Sequence, residues 1–349
     1  MTSSYLSPPY TIGPNGNLPH IDTGRSSGKD ILNRRQSKTH RWNPILTSPA
    51  EPIPLKNTSC VIQRQVPLAK FTSFKVGGPA ELYVAPRTIE DLQASLAWAE
   101  EMGESVTLLG AGSNLLVSDR GLSGLVIGSR YLRHATFKDD SGQLVAGAGE
   151  PIARLAWKAA ERGWSGLEWA AGIPGTVGGA VVMNAGAHKL CAADVLAHVQ
   201  VLSTDQEQKT LKNKDLGFQY RTSILQNKSL LLTEATFQLQ PGHSPTEVVK
   251  RTRNYLKHRH TTQPYNMPSC GSVFRNPQPH SAGWLIEQAG LKGYQIGEAQ
   301  VAQRHANFIL NLGQATANDI CNLIQHVQSQ VEHQWSLLLH PEVKLMGEF

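Results

Sequence analysis

Two glycine-rich segments limit the folds open to this chain more than any other feature. The first begins Gly110-Ala111-Gly112 and directly follows an apolar, strand-like run, and the second covers residues 172–187 and contains five glycines. Because glycine lacks a Cβ, such segments can turn sharply and bring backbone N–H groups close to an anion. Isolated glycine pairs belong mostly to tight turns, but two clusters within about seventy residues favour a phosphate or pyrophosphate cradle.

Neither segment matches the common nucleotide-binding motifs. No Lys-Ser or Lys-Thr pair follows the glycines, which argues against a P-loop, and Gly110-Ala111-Gly112 lacks the third glycine of the dinucleotide fingerprint. From the residues alone, the sequence therefore predicts a diphosphate-bearing cofactor held in a cradle that is not of the Rossmann type.

Predicted helices and strands alternate from Val66 onward. A capping-box pattern at Thr88 starts the first helix, and Gly103 ends it. Further helices are predicted to begin after Pro151, near residue 246 and at Thr316, the last with apolar positions up to Leu338. Strands are predicted at residues 106–109, 125–127, 144–146, 196–202 and 230–239. Such interleaving indicates an α/β or α+β architecture.

The first 56 residues differ in composition from the rest of the chain. They hold eight of the 20 prolines and seven serines, and they show no periodic apolar pattern. Such a stretch buries too little apolar surface to offset the entropy of ordering it. Residues 1–56 are therefore predicted to form a disordered extension. A targeting peptide is the alternative, but four prolines between residues 8 and 19 interrupt any amphipathic helix there.

Composition and charge exclude several classes of protein. An apolar fraction of 40% with 31 glycines in 349 residues is ordinary for a globular chain, which excludes collagen-like, fully disordered and disulfide-scaffold proteins. The net charge is +6, but residues 1–56 contain seven basic and three acidic side chains and so carry most of it. The nearly neutral remainder argues against a nucleic-acid partner, which requires a dense basic face.

Cysteine and histidine spacing argues against a metal centre. The four cysteines are far apart and form no C-x-x-C pair, and the 13 histidines show no H-E-x-x-H pattern. No apolar run is long enough for a membrane span, and the N-terminus lacks the apolar stretch of a secretory signal. The sequence therefore predicts a cytoplasmic protein without a metal or a membrane partner, and a monomer is expected.

A series of motifs resembles one enzyme family. In order along residues 57–349, the chain resembles the UDP-N-acetylenolpyruvoylglucosamine reductases (UDP-N-acetylmuramate dehydrogenases), flavoenzymes of peptidoglycan precursor synthesis. The matching blocks are Phe74 to Ala80, Gly110 to Leu116, Gly172 to Ala187, Tyr220 to Ser223, Gly271 to Pro277, Ala289 to Gly293, Gln300-Val301, His305 to Phe308 and Pro341 to Val343. A single block is a weak signal, whereas the ordered set is specific.

The resemblance implies a fold and a domain organisation. It implies an α+β fold, with a two-subdomain FAD-binding cradle of the PCMH / vanillyl-alcohol-oxidase type and a C-terminal α+β substrate domain. The expected boundaries are 57–125 for the first FAD-binding subdomain (joined by the tail 339–349), 126–240 for the second, and 245–338 for the substrate domain. The C-terminal strand near Val343 to Leu345 is expected to fold back against the FAD-binding part.

The resemblance also implies the cofactors and the residues that bind them. FAD is the expected cofactor, and NADPH is the expected hydride donor. The expected FAD-binding residues are Gly110, Ala111, Gly112, Ser113, Asn114, Leu115, Gly172, Ile173, Gly175, Thr176, Gly179 and Ala180.

In that family, hydride passes from NADPH through FAD to the enolpyruvyl ether of UDP-N-acetylglucosamine-enolpyruvate, which becomes UDP-N-acetylmuramate. Hydride addition builds negative charge toward the substrate carboxylate, and a proton must then reach the neighbouring carbon. By resemblance, Ser272 is the proton donor, while Arg221 and Glu342 stabilise the charge. Cys270, two residues from Ser272, is a more acidic alternative, although packing is its expected role.

The UDP-sugar is expected to meet basic and amide side chains, because it carries two phosphates and a carboxylate. By resemblance, the substrate-binding residues are Arg259, Gln263, Arg275, Asn276, Lys292 and Gln300. Only 50 residues separate Arg221 from Ser272, so the chain resembles the short branch of the family, which lacks an inserted loop with a substrate-covering tyrosine. The group that covers the substrate diphosphate is left open.

Two other functions compete with this interpretation. One is an FAD-dependent oxidase with the same cradle, which turns over with oxygen and without NADPH. The other is a flavin- or nucleotide-binding module that has lost catalysis, and the presence of Arg221, Ser272 and Glu342 argues against it.

Overall fold

The computed structural model describes residues 51–203, 206–226 and 230–349. The extension predicted for residues 1–56 lies outside these residues as far as position 50. The helices are α1 (Ile89–Met102), α2 (Ile152–Glu161), α3 (Val177–Val182), α4 (Ala192–Val195), α5 (Pro245–Thr262), α6 (Ala282–Gln288) and α7 (Ala317–Trp335). The strands are β1 (Ile53–Pro54), β2 (Val61–Pro67), β3 (Pro79–Val84), β4 (Val106–Leu109), β5 (Leu115–Val117), β6 (Leu122–Gly128), β7 (Ala135–Lys138), β8 (Gln143–Gly147), β9 (Gly186–Ala187), β10 (Leu190–Cys191), β11 (Leu196–Ser203), β12 (Gln208–Lys212), β13 (Leu230–Gln238), β14 (Gln295–Ile296), β15 (Ala299–Val301), β16 (Ile309–Asn311) and β17 (Lys344–Met346).

A five-stranded sheet with the order β1-β2-β3-β6-β4 holds the first glycine-rich segment. Its strands β3, β6 and β4 are parallel, and α1 crosses between β3 and β4. The capping box predicted at Thr88 is present, and Gly103 ends α1 in the left-handed conformation that glycine adopts readily. Leu92 of α1 packs in one apolar cluster with Leu125 and Ile127 of β6, so the helix covers one face of the sheet.

A second five-stranded sheet, with the order β12-β11-β13-β8-β7, is antiparallel, and helix α3 of the second glycine-rich segment packs against it. Trp169 and Phe237 lie in its core, each at most 1% exposed. Helix α2 shows a strong apolar face, with Leu155 and Ala159 buried in the same cluster. The segment from Glu168 to Gly172 forms a 3₁₀ turn that leads directly into the glycine-rich residues.

The C-terminal part consists of the small sheet β14-β15-β16 with α6 and α7. Its apolar cluster includes Leu285, Ile320 and Val327, and it also takes in Phe74 and Leu116 from the N-terminal side of the chain. Strand β17 pairs in parallel with β5, which confirms the prediction that the C-terminal strand returns to the FAD-binding part.

Two boundaries expected from the sequence are wrong. Helix α7 does not continue to Leu338, because Ser336 adopts a left-handed conformation (φ 50°) that ends it, and Leu338 is 46% exposed. The subdomain boundary expected between residues 125 and 126 falls inside β6, whose buried residues pair with both β3 and β4. The first sheet therefore extends to Gly128.

The last residues of the predicted extension belong to the folded part. Ile53 and Pro54 form β1, which pairs with β2, and Leu55 is only 4% exposed among Ile62 and Leu82. The expectation of disorder is therefore wrong for residues 53–55. Ile53 and Leu55 pack against the core formed with Ile62 and Leu82, and this burial orders a segment that composition alone assigns to the extension.

In the part of the chain that the structure describes, no helix is long and apolar enough to cross a membrane. Within the same residues, no three His, Cys, Asp or Glu side chains are grouped as a metal ion would require, and the four cysteines are unpaired.

The contact of Leu55 with the core can be tested by a pair of substitutions. Leu55→Ala is expected to lower the free energy of unfolding by about 2–4 kcal/mol, because it removes buried methyl groups and leaves a cavity. The matched control is Lys56→Ala, since Lys56 is exposed next to it. Chemical unfolding of the two variants measures the difference, and equal stabilities would show that residues 53–55 do not contribute to the core.

Candidate active site

The structure brings the two glycine-rich segments face to face. A Cβ added at Gly110 would lie 3.1 Å from Thr176 Oγ1, and one added at Gly175 would lie 2.9 Å from Ser113 Oγ. Ser113 Oγ also donates a hydrogen bond to the carbonyl oxygen of Pro174 (3.1 Å). The segments are about sixty residues apart in sequence, so the close contact between them is a product of the tertiary fold.

Gly112 has a different role from Gly110. Its φ is +65°, and an added Cβ would collide with the carbonyl oxygen of Phe71. Its own carbonyl oxygen accepts a hydrogen bond from Ser73 N–H (3.0 Å). Gly112 is therefore needed for the packing of one backbone segment against another.

Some of the other predicted cofactor residues lie near the cavity or the C-terminal tail, whereas others are buried in the core or bonded within α3. Asn114 Nδ2 donates to the carbonyl oxygen of Glu342 (3.0 Å), Leu115 starts β5, and Ala111 lines the cavity described below. An added Cβ at Gly172 would meet the side chain of Arg259. By contrast, Ala180 is buried, Ile173 packs against the apolar core, and Gly179 N–H is bonded to Thr176 Oγ1 (3.3 Å) within α3.

A cavity of about 340 Å³ opens beside the glycine-rich segments, and the charged residues that line it are all positive. Ala111 and Pro174 line it from the two segments, and Gly271 lines it next to Ser272. Its cationic lining residues are Lys70, Lys75, Arg130 and Arg259. None of the residues that line it is acidic. Four cations without a carboxylate favour the binding of an anion such as a diphosphate.

Arg221 and Glu342, 121 positions apart in sequence, form an ion pair. Arg221 Nε donates to Glu342 Oε1 at 2.7 Å, and the two side chains are only 21% and 15% exposed. Arg221 Nη2 donates to the carbonyl oxygen of Gly186 (3.2 Å), and the guanidinium lies 5.0 Å from the centre of the Tyr220 ring. Arg221 has a positive φ of 57°, an uncommon conformation for a residue with a side chain.

A short antiparallel pairing brings the segment that follows Ser272 to Glu342. Glu342 N–H donates to the carbonyl oxygen of Val273 (2.7 Å), and Phe274 pairs with Pro341. Ser272 immediately precedes Val273 on this segment. Of the three predicted catalytic residues, Arg221 and Glu342 are in direct contact, and Ser272 is next to the residue whose backbone pairs with Glu342.

Burial and charge set the protonation of the groups near this ion pair. Burial raises the pKa of Glu342 above its usual value, while the neighbouring Arg221 and Arg275 partly offset the rise. Burial, with Glu342 nearby, raises the pKa of the Cys270 thiol far above its usual value. Cys270 is 5% exposed and packs in the apolar core, so it is a neutral packing residue and a poor alternative to Ser272 as proton donor.

The structure gathers only half of the predicted substrate-binding residues. Arg259 and Gln263 line the cavity, and Arg275 lies close enough to Glu342 to affect its pKa. The other three are bonded to neighbours in the C-terminal part: Asn276 Oδ1 accepts from Ala282 N–H (3.0 Å), Lys292 Nζ donates to Glu287 (2.6 Å), and Gln300 Nε2 donates to Gln295 (3.3 Å).

Sequence reasoning missed several residues at the site. The Tyr265 hydroxyl accepts from Arg259 Nε (2.7 Å) and donates to Gln263 Oε1 (2.9 Å), which joins two predicted substrate residues. Gln226 Nε2 donates to the carbonyl oxygen of Arg221 (2.9 Å), and its Oε1 accepts from Lys344 Nζ (3.0 Å). No motif marks these residues, although the Tyr265 contacts are local in sequence; only the bond between Gln226 and Lys344 joins distant segments.

Comparison with known proteins agrees with this geometry. Residues 263–346 match the family model of the UDP-N-acetylenolpyruvoylglucosamine reductase C-terminal domain, and residues 80–212 match an FAD binding domain. The chain is 61% identical over 312 residues to the UDP-N-acetylenolpyruvoylglucosamine reductase of Trichormus variabilis, covering 89% of this chain and 94% of that protein. This chain belongs to the UDP-N-acetylenolpyruvoylglucosamine reductase family.

Further members of the reductase family extend the comparison. The chain is 59% identical over 295 residues to the reductase of Acaryochloris marina, covering 84% of this chain and 96% of that protein. The crystal structure of the Thermus caldophilus reductase is 35% identical and superposes with a TM-score of 0.71, covering 81% of this chain and 98% of that one. The predicted family and the predicted α+β fold, an FAD-binding part followed by a C-terminal domain, are confirmed.

The cofactor of this reductase is FAD, with NADPH as the reductant. The residues fit such a cofactor on two counts: the gap between Gly110 and Thr176 would be narrowed by any Cβ, and the adjoining cavity is cationic. Both features suit a diphosphate-bearing molecule that must approach the backbone closely.

The two glycines of the first segment are expected to respond differently to alanine. Gly110→Ala narrows the gap facing Thr176, so FAD affinity is expected to fall by about 5- to 100-fold, the equivalent of about 1–3 kcal/mol of overpacking. Gly112→Ala is strained at φ +65° and collides with Phe71, so the free energy of unfolding is expected to fall by about 1–3 kcal/mol. Flavin titration and chemical unfolding of both variants measure the two effects. Unchanged FAD affinity in the first would remove Gly110 from the cofactor site.

The raised pKa of Glu342 makes a prediction about the pH dependence of stability. Because the folded state binds the Glu342 proton more tightly than the unfolded state does, this contribution to stability is fully present below the unfolded pKa of about 4.3 and is lost as pH rises through the folded pKa. Glu342→Gln does not titrate, so its stability relative to the wild type should increase from about pH 4 to about pH 7. Thermal unfolding at both values tests this, with the exposed Glu298→Gln as control. A difference that does not change with pH would contradict the shift.

Proposed function

We infer that this chain catalyses the NADPH-dependent, FAD-mediated reduction of UDP-N-acetylglucosamine-enolpyruvate to UDP-N-acetylmuramate, a step of peptidoglycan precursor synthesis. Identity of 61% to a reductase of that name supports this activity. The structural observation that carries it is the buried Arg221–Glu342 ion pair, because Glu342 pairs with the backbone of Val273, directly after Ser272. Gly271, the residue before Ser272, lines the cationic cavity.

The chemistry that FAD supplies is hydride transfer, from NADPH to the vinyl carbon of the substrate. The negative charge that develops toward the substrate carboxylate is stabilised by Arg221, a planar and permanently charged group that Glu342 and Gly186 hold in place. Ser272 donates the proton to the neighbouring carbon. Glu342 keeps the guanidinium oriented, and its burial limits the access of water to the ion pair.

The substrate diphosphate is bound on the Arg259 side of the cavity. Arg259, Gln263 and Tyr265 form one hydrogen-bonded group there, and no inserted tyrosine loop is needed for it. Arg275, which lies near Glu342, binds the substrate carboxylate. Asn276, Lys292 and Gln300 complete the proposed set by resemblance alone.

The proposed domain organisation follows the expected one with its corrected limits. The two-subdomain cradle extends to residue 240, with the C-terminal tail from 339 joined to it through β17, and the substrate domain covers 245–338. The proposed enzyme acts as a monomer on a soluble UDP-sugar in the cytoplasm.

Ser272→Ala separates the two halves of the proposed reaction. Reduction of FAD by NADPH needs no proton from this hydroxyl and is expected to keep the wild-type rate. Flavin reoxidation by the enolpyruvyl substrate needs the proton and should slow by about 10²- to 10⁴-fold, the range of a lost general acid. Stopped-flow absorbance of the flavin measures each half separately.

Two controls make this experiment decisive. Ser269→Ala removes a hydroxyl from the cavity lining, three residues before Ser272, and is expected to leave both rates unchanged. Ser272→Cys should recover part of the lost rate, because a thiol also donates a proton. Wild-type reoxidation in Ser272→Ala would assign the proton to another group, while turnover with oxygen and without NADPH would identify an oxidase.

A further inference from the structure

Arg130 is a cation that lacks an acidic partner. Among the residues that the structure describes, no carboxylate forms an ion pair with it. Within the described part of the chain, its Nη2 donates only to the carbonyl oxygens of Phe71 (3.3 Å) and Gly110 (3.4 Å), and its Nε is buried without a hydrogen-bond partner. Because an unpaired buried donor is costly, it needs a reason to be present.

The position of this guanidinium is set by stacked aromatic rings. It lies 4.7 Å from the centre of the Phe71 ring, and Phe71 in turn stacks on Tyr83 with centres 5.1 Å apart and planes 17° apart. Tyr83 is 5% exposed, and burial raises the pKa of its hydroxyl, so it provides no negative charge to Arg130. Arg130 is therefore held in a fixed orientation with part of its donor set unused.

The contact with Gly110 connects Arg130 to the first glycine-rich segment. The C=O and N–H groups of a trans peptide point in opposite directions. With the Gly110 carbonyl directed at Arg130, the N–H of Ala111 is directed away from it, and Ala111 lines the same cavity. The hydrogen bond from Arg130 to Gly110 thus orients the Gly110–Ala111 peptide and places a positive charge next to it.

We propose that Arg130 binds the diphosphate of FAD and at the same time orients the Gly110–Ala111 peptide. This assignment rests on the proposed function, since it takes FAD as the occupant. The diphosphate of the UDP-sugar is the other source of the same chemistry, but its proposed partners, Arg259 and Gln263, belong to α5 and the residue that follows it. Arg130 contacts the glycine segment, so the flavin diphosphate is the anion it faces.

The test compares FAD retention in full-length protein purified with its flavin. Arg130→Met keeps an unbranched stem over Phe71 but removes the charge and the donors. The gain in flavin fluorescence after dilution measures the rate of FAD release, and rebinding of added FAD measures the rate of association. The ratio of the two rates gives the dissociation constant. The dissociation constant is expected to increase about 10- to 100-fold, as for the loss of charge-assisted hydrogen bonds. The dissociation constant of Arg130→Lys is expected to lie between those of the wild type and Arg130→Met. Added salt should weaken FAD binding more in the wild type than in Arg130→Met.

The matched control is Arg87→Met. Arg87 also lies over an aromatic ring, 5.4 Å from the centre of Tyr131, but it does not line the cavity, so FAD retention should not change. Equal FAD affinity in wild type and Arg130→Met would overturn the proposal. So would unchanged FAD affinity together with a raised KM for the UDP-sugar, which would assign Arg130 to the substrate. If Arg130→Met does not fold, Arg130→Lys with wild-type FAD affinity and salt dependence overturns it instead.

The proposed function fails in a distinguishable way. Wild-type protein that contains no flavin and takes up none when FAD is added would remove the reductase activity itself. Wild-type protein that holds FAD, with no difference in Arg130→Met, would remove only the role of Arg130.

Discussion

The site depends on the ion pair between Arg221 and Glu342, which joins the second glycine-rich segment to the C-terminal tail. Pairing of two charges out of water is costly unless their remaining groups are satisfied. Here Arg221 also bonds Gly186, and the backbone of Glu342 bonds both Val273 and Asn114. Removal of one partner would leave a buried charge without compensation, so the pair and the surrounding backbone pairings stabilise each other.

The C-terminal strand explains how such distant residues meet. Strand β17 adds in parallel to β5, directly after the first glycine-rich segment, and residues 340–343 pair with residues 273–275. One short tail therefore contacts both the FAD-binding part and the substrate part of the chain. Its position joins Glu342 to the backbone beside Ser272 and to Asn114 of the first glycine-rich segment, and Gly271 before Ser272 lines the cationic cavity.

Much of the fold and part of the site follow from local patterns. The capping box at Thr88, the left-handed Gly103 and the apolar spacing of α7 predict their elements correctly, because a helix is determined by residues close in sequence. The predicted end of α7 and the predicted disorder of residues 53–55 are wrong for the same reason. A left-handed serine and a two-residue strand are decided by the surroundings, and no periodicity marks them.

By itself, the sequence determined the family, the FAD cofactor and the identity of the candidate catalytic residues, since ordered motifs carry that information. Only the tertiary structure decided which distant residues meet: that Arg221 pairs with Glu342, and that Arg130 contacts Gly110 while its Nε has no hydrogen-bond partner among the described residues. It also showed that Gly112 packs against backbone whereas Gly110 faces the gap. Contacts between segments depend on how sheets and loops pack, and such packing has no signature in the local order of residues.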